Sequence, residues 1–367
     1  MAFRILPGVR VLEVGQGISG PYCAKILANM GAEVIKIEPP EGDVARQRGP
    51  YPGDNPHPEK SGLFLTLNTN KRGIVLDVRS SDGAATLRKL VKTADIVIEN
   101  PPPSSLESNG LGYETLSELN PKVIFTSITP FGNRGPYANF KATDLVLYHM
   151  SGHAHGLLGA VDNPDSEPPI RAGGHQAELV GGLAAATATM MAMYRTRLTG
   201  KGCRIDISSF EAMVNQLISG LANCAYGRPT PPRELSKVKE AAIGGMVGAI
   251  GGILPCSDGY VAISPREDAQ WERWLHVMGD PAWSTDDRFA TRNARQQNSP
   301  ALWELLSDWS RQYSKHDIAQ RGQDQRIPCF PVNTVLDLLS DRHLAERQFF
   351  VEIEHSVAGT FKYPGTA

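Results

Sequence analysis

The chain has no clustered run of lysine and arginine, no apolar stretch near the roughly 20 residues that cross a bilayer, and no C-x-x-C spacing. Each absence removes a class of function. A nucleic-acid partner needs a basic patch or stripe, whereas here the net charge is -2 over 367 residues. The segment Met1 to Arg10 is too polar for a secretory signal, so the chain is expected in the cytoplasm, with no membrane partner. The cysteines, Cys23, Cys203, Cys224, Cys256 and Cys329, are scattered and odd in number. That argues against a disulfide framework or structural zinc and leaves them as small buried hydrophobes. His153 and His155 form an H-x-H with no further ligand at metal spacing, so no metal is expected. Ser208 and Ser209 lack the G-x-S-x-G setting of a hydrolase nucleophile.

What is present is ordinary globular composition, 41% hydrophobic and 21% charged, in a chain long enough for a large core and a smaller domain. The first third repeats strand, loop and helix. Val9 to Val14 reads as a buried strand, Pro21 to Met30 as a helix stopped by Gly31, and Val34 to Ile37 as the next strand. Ile74 to Val78, Ile96 to Ile98 and Val123 to Ile128 continue the series, with a helix from Gly83 to Thr93. Short β-branched runs alternating with helices predict an α/β fold, a doubly wound and mostly parallel sheet. Glu178 to Arg197 is a long helix rich in Ala, Gly and Met, expected in the core. Thr199 to Gly202 is a turn, Cys203 to Ile207 a strand, and Ser209 to Tyr226 a helix. A Pro- and Arg-rich segment then opens a smaller α+β domain. The expected division is a large Rossmann-like domain over 1–225, the smaller domain over 226–325 and a return to the large domain over 326–367. The closing Tyr363-Pro364-Gly365 is turn-like and reads as a clipped tail.

Gly15-Gln16-Gly17-Ile18-Ser19-Gly20 matches G-x-G-x-x-G between a strand and a helix, and Glu38 ends the next strand. In that context backbone N–H groups at the helix start can face a pyrophosphate. Two readings stay open: a dinucleotide loop of an NAD-dependent oxidoreductase, or glycines that simply make the tight turn. No hydride-transfer constellation accompanies the loop, and coenzyme A carries a pyrophosphate too.

A series of segments narrows the choice. Gly8 to Glu13 is followed by Ser19-Gly20-Pro21-Tyr22-Cys23 and by Val34-Ile35-Lys36-Ile37-Glu38. Asn68 to Arg72 leads into Ile74-Val75-Leu76-Asp77; Ala94 to Asn100 precedes Leu111-Gly112-Tyr113; Phe131-Gly132, Gly135-Pro136-Tyr137, Thr199 to Gly202 and Asp258-Gly259 come later. In order and spacing over nearly the whole chain, this set resembles the class III CoA-transferases, typified by formyl-CoA and carnitine-CoA transferases. The resemblance implies a Rossmann-like domain with a smaller one, in two subunits threaded as linked rings. It implies acyl-CoA and a carboxylic acid as substrates, with no prosthetic group, ATP or metal. An active-site aspartate would attack the thioester, and coenzyme A would pass through an enzyme-bound thioester.

Counting back from Thr199 places Glu178 where the family has that aspartate. Three readings stand: Glu178 is the nucleophile; the chain is the non-catalytic member of a heteromer with a homologous subunit; or Glu178 is an acid placed by the helix dipole. Asp144 falls where the formyl-CoA branch has an active-site carboxylate, with a helix N-cap as the alternative. Related racemases carry a histidine before this acid, where Thr143 stands here. For coenzyme A the resemblance implies Gln16, Gly17, Ile18 and Ser19, then Leu76, Asp77, Val78 and Arg79, with Asn100 and Lys141. Pro39 and Ser108 replace two arginines of the formyl-CoA branch, which Arg46, Arg48 or Lys71 would have to offset. Gly244 to Gly248 resembles a mobile loop over the site, or is a linker.

Overall fold

The apolar runs form strands because β-branched and bulky residues pack on both faces of a covered parallel sheet. In a computed structural model, which describes residues 5–100, 106–157, 161, 163–230, 252–265 and 267–365, the chain divides into two compact units. One comprises Met1–Leu157, Pro169–Thr230 and Ala345–Ala367; the other comprises Leu158–Pro168 and Pro231–Leu344. The sequence reading placed its divisions after 225 and 325. The segment Gly244 to Gly248 lies outside the described residues.

In the first unit, β1 (Arg10–Glu13), α1 (Ser19–Asn29), β2 (Glu33–Glu38), α2 (Gly62–Leu67) and β3 (Lys71–Val75) come first. They are followed by α3 (Ser81–Val91), β4 (Ile96–Glu99), α4 (Tyr113–Leu119) and β5 (Ile124–Thr129). Then come α5 (Asp144–Met150), α6 (His153–Leu157), α7 (Gln176–Thr199), β6 (Cys203–Ser208), α8 (Ser209–Val214) and α9 (Ile218–Ala225). The six strands pair in the order β3-β2-β1-β4-β5-β6, every neighbour parallel. The expected doubly wound sheet is therefore present. Its winding reverses between β1 and β4, where connections leave in opposite directions and open a crevice beyond the carboxyl ends of the strands.

Strand side chains alternate between two cores. Val11, Ile96, Ile98, Ile124 and Ile128 pack with α1 and α7, while Leu12, Val97 and Phe125 pack with α3 and α4 on the opposite face. The length of α7, 24 residues, is matched to its small side chains. A Cβ at Gly182 would stand 2.6 Å from Ser19 O, and one at Gly181 would collide with the Ser209 hydroxyl. These two glycines let α7 lie directly on the start of α1 and on α8. The Thr126 and Thr189 hydroxyls, 2.8 Å apart, join β5 to the same helix. Gly200, with φ 69°, ends it.

Three elements differ from the sequence reading: Tyr363 and Pro364, read as turn-like, close a strand over Gly359–Pro364, and the other two lie earlier in the chain. The third strand occupies Lys71–Val75 rather than Ile74 to Val78. It is an edge strand whose Lys71 is held by a buried carboxylate, and Leu76 and Val78 spend their apolar character against α3's core. The helix expected from Ser209 to Tyr226 is broken. Gln216 and Leu217 bond to carbonyls only three residues back, after Asn215, a type that competes with the helix ladder.

The second unit holds an antiparallel sheet of β7 (Gly252–Cys256), β8 (Gly259–Ile263) and β9 (Cys329–Pro331). Its helices are α10 (Asp268–Val277), α11 (Arg292–Gln297), α12 (Ser299–Ser310), α13 (Lys315–Asp324) and α14 (Val335–Leu339). Trp271, Trp274, Phe289, Leu306 and Ile318 form its core. The hairpin of β10 (Phe350–His355) and β11 (Gly359–Pro364) belongs to the first unit. Among the described residues no helix is long and apolar enough to cross a membrane.

Candidate active site

An ionic network lies at the carboxyl end of β1. Glu13, the last residue of β1, is fully buried and receives Lys36 Nζ from β2 at 3.0 Å and Lys71 Nζ from β3 at 2.7 Å. Lys36 also meets Asp43 Oδ2 at 2.7 Å. Two carboxylates and two ammonium groups thus balance. Burial alone would neutralise Glu13, but Lys36 and Lys71 hold its carboxyl below the usual range. Burial outweighs Glu13 at Lys71 and draws that ammonium down to about 8. The network reaches the glycine loop directly. Lys36 Nζ donates to Gly15 O at 3.0 Å, and Gly17 N donates to Asp43 Oδ1 at 2.9 Å. Sequence reasoning passed over Glu13, Lys36 and Asp43 as site residues, although a charged residue inside or closing an apolar strand was the available signal.

Asn100, just past β4, clasps the loop from the other side. Its Oδ1 accepts from Gln16 N at 2.7 Å, and its Nδ2 donates to Gln16 O at 2.8 Å and Ser19 Oγ at 2.9 Å. A Cβ on Gly15 or Gly20 would stand 2.8 Å from that Oδ1. Close packing of loop, helix and Asn100 therefore accounts for both glycines. Glu38, the acid a nicotinamide nucleotide's ribose would need, is engaged bidentately by Arg46 at 2.7 and 2.9 Å and by Asp43 N at 3.0 Å.

Beyond the strand ends lies a cleft of about 380 Å³. Gln16, Leu76, Asp77, Val78 and Arg79 line it, as do Pro39 and Ser108. Arg79 sits at an exposed edge, 2.8 Å from Asp77 and 3.0 Å from Glu41. The other residues expected at coenzyme A are placed differently. Gly17, Ile18 and Ser19 are buried within the loop, Asn100 is committed to it, and Lys141 is exposed ahead of α5. Of the three cations considered as replacements, Lys71 is buried against Glu13, and Arg46 is held by Glu38 and Glu59. Arg48 is exposed, and no described carboxylate forms an ion pair with it.

The start of α7 gathers a second polar group. Asp144 is the buried first residue of α5, yet it caps α7 as well. Its Oδ1 accepts from Ala177 N at 2.8 Å and Glu178 N at 3.2 Å, supplying acceptors that a helix start otherwise lacks. Arg171 Nη1 donates to Asp144 Oδ2 at 3.1 Å and to Gly174 O at 2.5 Å. The Glu178 side chain is 29% exposed, with Oε2 3.4 Å from His175 Nδ1. Burial first, and then the Asp144 charge, raise its carboxyl above the usual range, against the pull of Arg48. Burial lowers His175, and the Arg48 charge adds to this. Ligand atoms of Asp144, His175 and Glu178 lie within 4.8 Å of one another. Asp144 is already spent on two N–H groups and a guanidinium, which fits a cap better than a cation ligand. Glu178 is one turn from Gly182, the residue seated against Ser19 O, so its helix face is the one turned toward the glycine loop. A partly exposed carboxylate there can serve as nucleophile and leaving group at an acyl carbon.

Ser208 and His153 have structural partners. Ser208 Oγ accepts from Glu211 N at 3.2 Å and caps α8, and His153 Nε2 lies 3.0 Å from Met213 O.

Residues 6–367 match the family described as CoA-transferase family III. A succinate–glutarate CoA-transferase of Agrobacterium fabrum is 31% identical over 95% of this chain and 85% of its own length. A formyl-CoA:oxalate CoA-transferase of Streptomyces coelicolor is 28% identical over 100% of this chain and 89% of its own. A subunit of the succinyl-CoA:(R)-benzylsuccinate CoA-transferase of Thauera aromatica is 31% identical over 97% and 86%. Among solved structures, a CAIB/BAIF family protein from Brucella suis superposes with a TM-score of 0.82 at 30% identity, covering 99% of this chain and 96% of that one.

Proposed function

This chain belongs to CoA-transferase family III, and from that premise we propose that Glu178 is the carboxylate through which it passes coenzyme A. The protein is a transferase that moves coenzyme A between an acyl-CoA and a carboxylic acid; the nicotinamide reading of the glycine loop gives way to that assignment. In the proposed sequence a Glu178 oxygen attacks the thioester carbonyl, the C–S bond breaks, and a mixed anhydride and CoA thiolate form. The thiolate attacks the glutamyl carbonyl and expels the donor acid, leaving a glutamyl thioester. The acceptor carboxylate attacks that thioester and releases the thiolate. The thiolate then takes the acceptor's acyl carbon from the second anhydride, and the Glu178 carboxylate returns. Every step exchanges one acyl bond for another, so the scheme consumes no proton, metal or nucleotide.

One observation carries this reading: a half-buried carboxylate, raised in pKa, on the α7 face that rests against the glycine loop. Borohydride reduction after incubation with an acyl-CoA is the test. It converts a glutamyl thioester to an alcohol, and the modified peptide must contain Glu178. An unmodified Glu178 during active turnover would sink the assignment.

For the acids we propose short dicarboxylates. The names of the relatives carry succinate, glutarate, citramalate and oxalate, and the exposed Arg48, whose charge acts on both Glu178 and His175, is suited to a second carboxylate. Comparable rates with succinyl-CoA and propionyl-CoA would contradict this. The relative named as a subunit supports a second reading, in which this chain pairs with a homologous catalytic subunit. Transfer activity appearing only on co-expression, with the trapped group on the other chain, would establish it. In either case the enzyme works in the cytoplasm, as a homodimer or a heteromer.

A further inference from the structure

We propose that His175 is a positioning residue that holds the Glu178 carboxylate in its reacting pose by donating Nδ1–H to Oε2. This rests on the reading of Glu178 as the relay. His175 is the residue at the N-cap of α7, its carbonyl accepting from Leu179 N at 2.9 Å. Side chains three apart at a helix start are neighbours, and Nδ1 stands 3.4 Å from Oε2. That nitrogen is buried and forms no hydrogen bond with any described residue. A small rotation of either side chain brings the pair within the 2.7–3.2 Å range of an N–H···O bond.

Of the other polar groups around Glu178, Asp144, Arg171 and Gln176 are committed elsewhere, and the exposed Arg48 acts on it through its charge. Asp144 offers only acceptors, and they face Ala177 N, Glu178 N and Arg171. Arg171 Nη1 serves Asp144 and Gly174 O, and Gln176 Nε2 donates to Gly173 O at 2.9 Å. His175 supplies the open donor on α7 itself. Its imidazole stays neutral at neutral pH, because burial and the charges of Arg48 and Arg171 oppose protonation more than Asp144 favours it. A neutral imidazole carries one N–H, and the proposal assigns it to Nδ1.

The need for such a donor follows from chain length. Glutamate has one more torsion than the aspartate that the resemblance places here, and a misplacement of about 1 Å can cost on the order of 100-fold in rate. A donor at the N-cap removes that extra freedom and favours the ionised, nucleophilic form.

A double-mutant cycle tests this, with acyl-CoA consumption and borohydride-trapped glutamyl thioester as readouts. His175→Ala should slow thioester formation roughly 30-fold with the KM for acyl-CoA unchanged, because orientation rather than binding is lost. The acid limb of the rate profile should move to higher pH, since a carboxylate without its donor is harder to ionise. His175→Asn, whose amide N–H sits near the position of Nδ1, should restore most of the rate, and His175→Leu should not. In a Glu178→Asp background the shorter carboxylate no longer reaches His175, so His175→Ala should cost less than about 3-fold. Equal losses in both backgrounds, an unmoved acid limb, or equal rates for the asparagine and leucine variants would each overturn the proposal. Should the alanine variant not fold, the asparagine and leucine pair carries the same contrast. The outcome is separable from the relay itself: a thioester trapped on Glu178 at full rate in the histidine variants removes the positioning role and leaves the relay intact.

Discussion

Two groups of charged side chains flank the elements that carry the glycine loop, one at the end of β1 and one at the start of α7, and they differ in burial, balance and pairing. Beneath the loop, Glu13, Lys36, Lys71 and Asp43 are buried, balanced in charge and closed by short ion pairs. At the start of α7, His175 and Glu178 are partly exposed beside the buried Asp144, and an imidazole nitrogen lacks a hydrogen bond with any described residue. The first group tolerates burial because each charge has an opposite partner, and breaking any pair is expensive. The second has a carboxylate whose ionisation its surroundings oppose, which is the condition of a reactive group. The lesson is that charge alone does not separate the two groups; burial and the pairing of each charge do.

Four substitutions break or sharpen that contrast. Glu178→Gln should have the largest effect, lowering turnover on the order of 10⁴-fold while the melting temperature holds, since the amide removes a nucleophile and not a packing contact. Initial rates and a thermal melt on the same sample check it. Glu13→Ala should do the reverse. It leaves Lys36 and Lys71 buried without a shared carboxylate and should cost about 3–5 kcal/mol of stability, read by denaturant titration. Activity would fall only in proportion to the folded fraction and to disorder of the loop. Gly182→Ala tests the joint between the two groups. Its new methyl meets Ser19 O, and overpacking of this kind costs roughly 1–3 kcal/mol, with a raised KM for acyl-CoA as the loop is pushed out of place.

The smallest effect concerns pH. The carboxylate is the nucleophilic form of Glu178, and its carboxyl titrates above the usual range. The rate should therefore be lost at a higher pH, on acidification, than for an exposed glutamate. Asp144→Asn keeps an oxygen to cap Ala177 N but removes the neighbouring negative charge. The acid limb should then move to lower pH, and stability should change by no more than about 1 kcal/mol. A limb that stays in place would mean Asp144 acts on Glu178 through geometry alone.

Much of the sheet was legible because its strands are short apolar runs, and burial on both faces leaves few other uses for such runs. Lys71–Val75 was misplaced because Lys71 and Arg72 are polar. The carboxylate of Glu13, 58 residues away, together with Pro21 O and Asn68 Oδ1, makes a lysine suitable there. Glu178 was reached by counting along the chain, and the 24-residue helix conserves that count. Asp144's place could not be counted. Its carboxylate meets the α7 start across 33 residues, and whether it acts as cap or catalyst depends on which N–H groups it finds.

By itself, then, the sequence determined the alternation of strands and helices, the glycine turn after the first strand and the acid at the start of the long helix. These follow from local periodicity and from small residues that permit close approach. The tertiary structure decided which charges are neutralised and which remain available. Desolvation and pairing depend on neighbours brought from distant parts of the chain, and no local pattern encodes that arrangement.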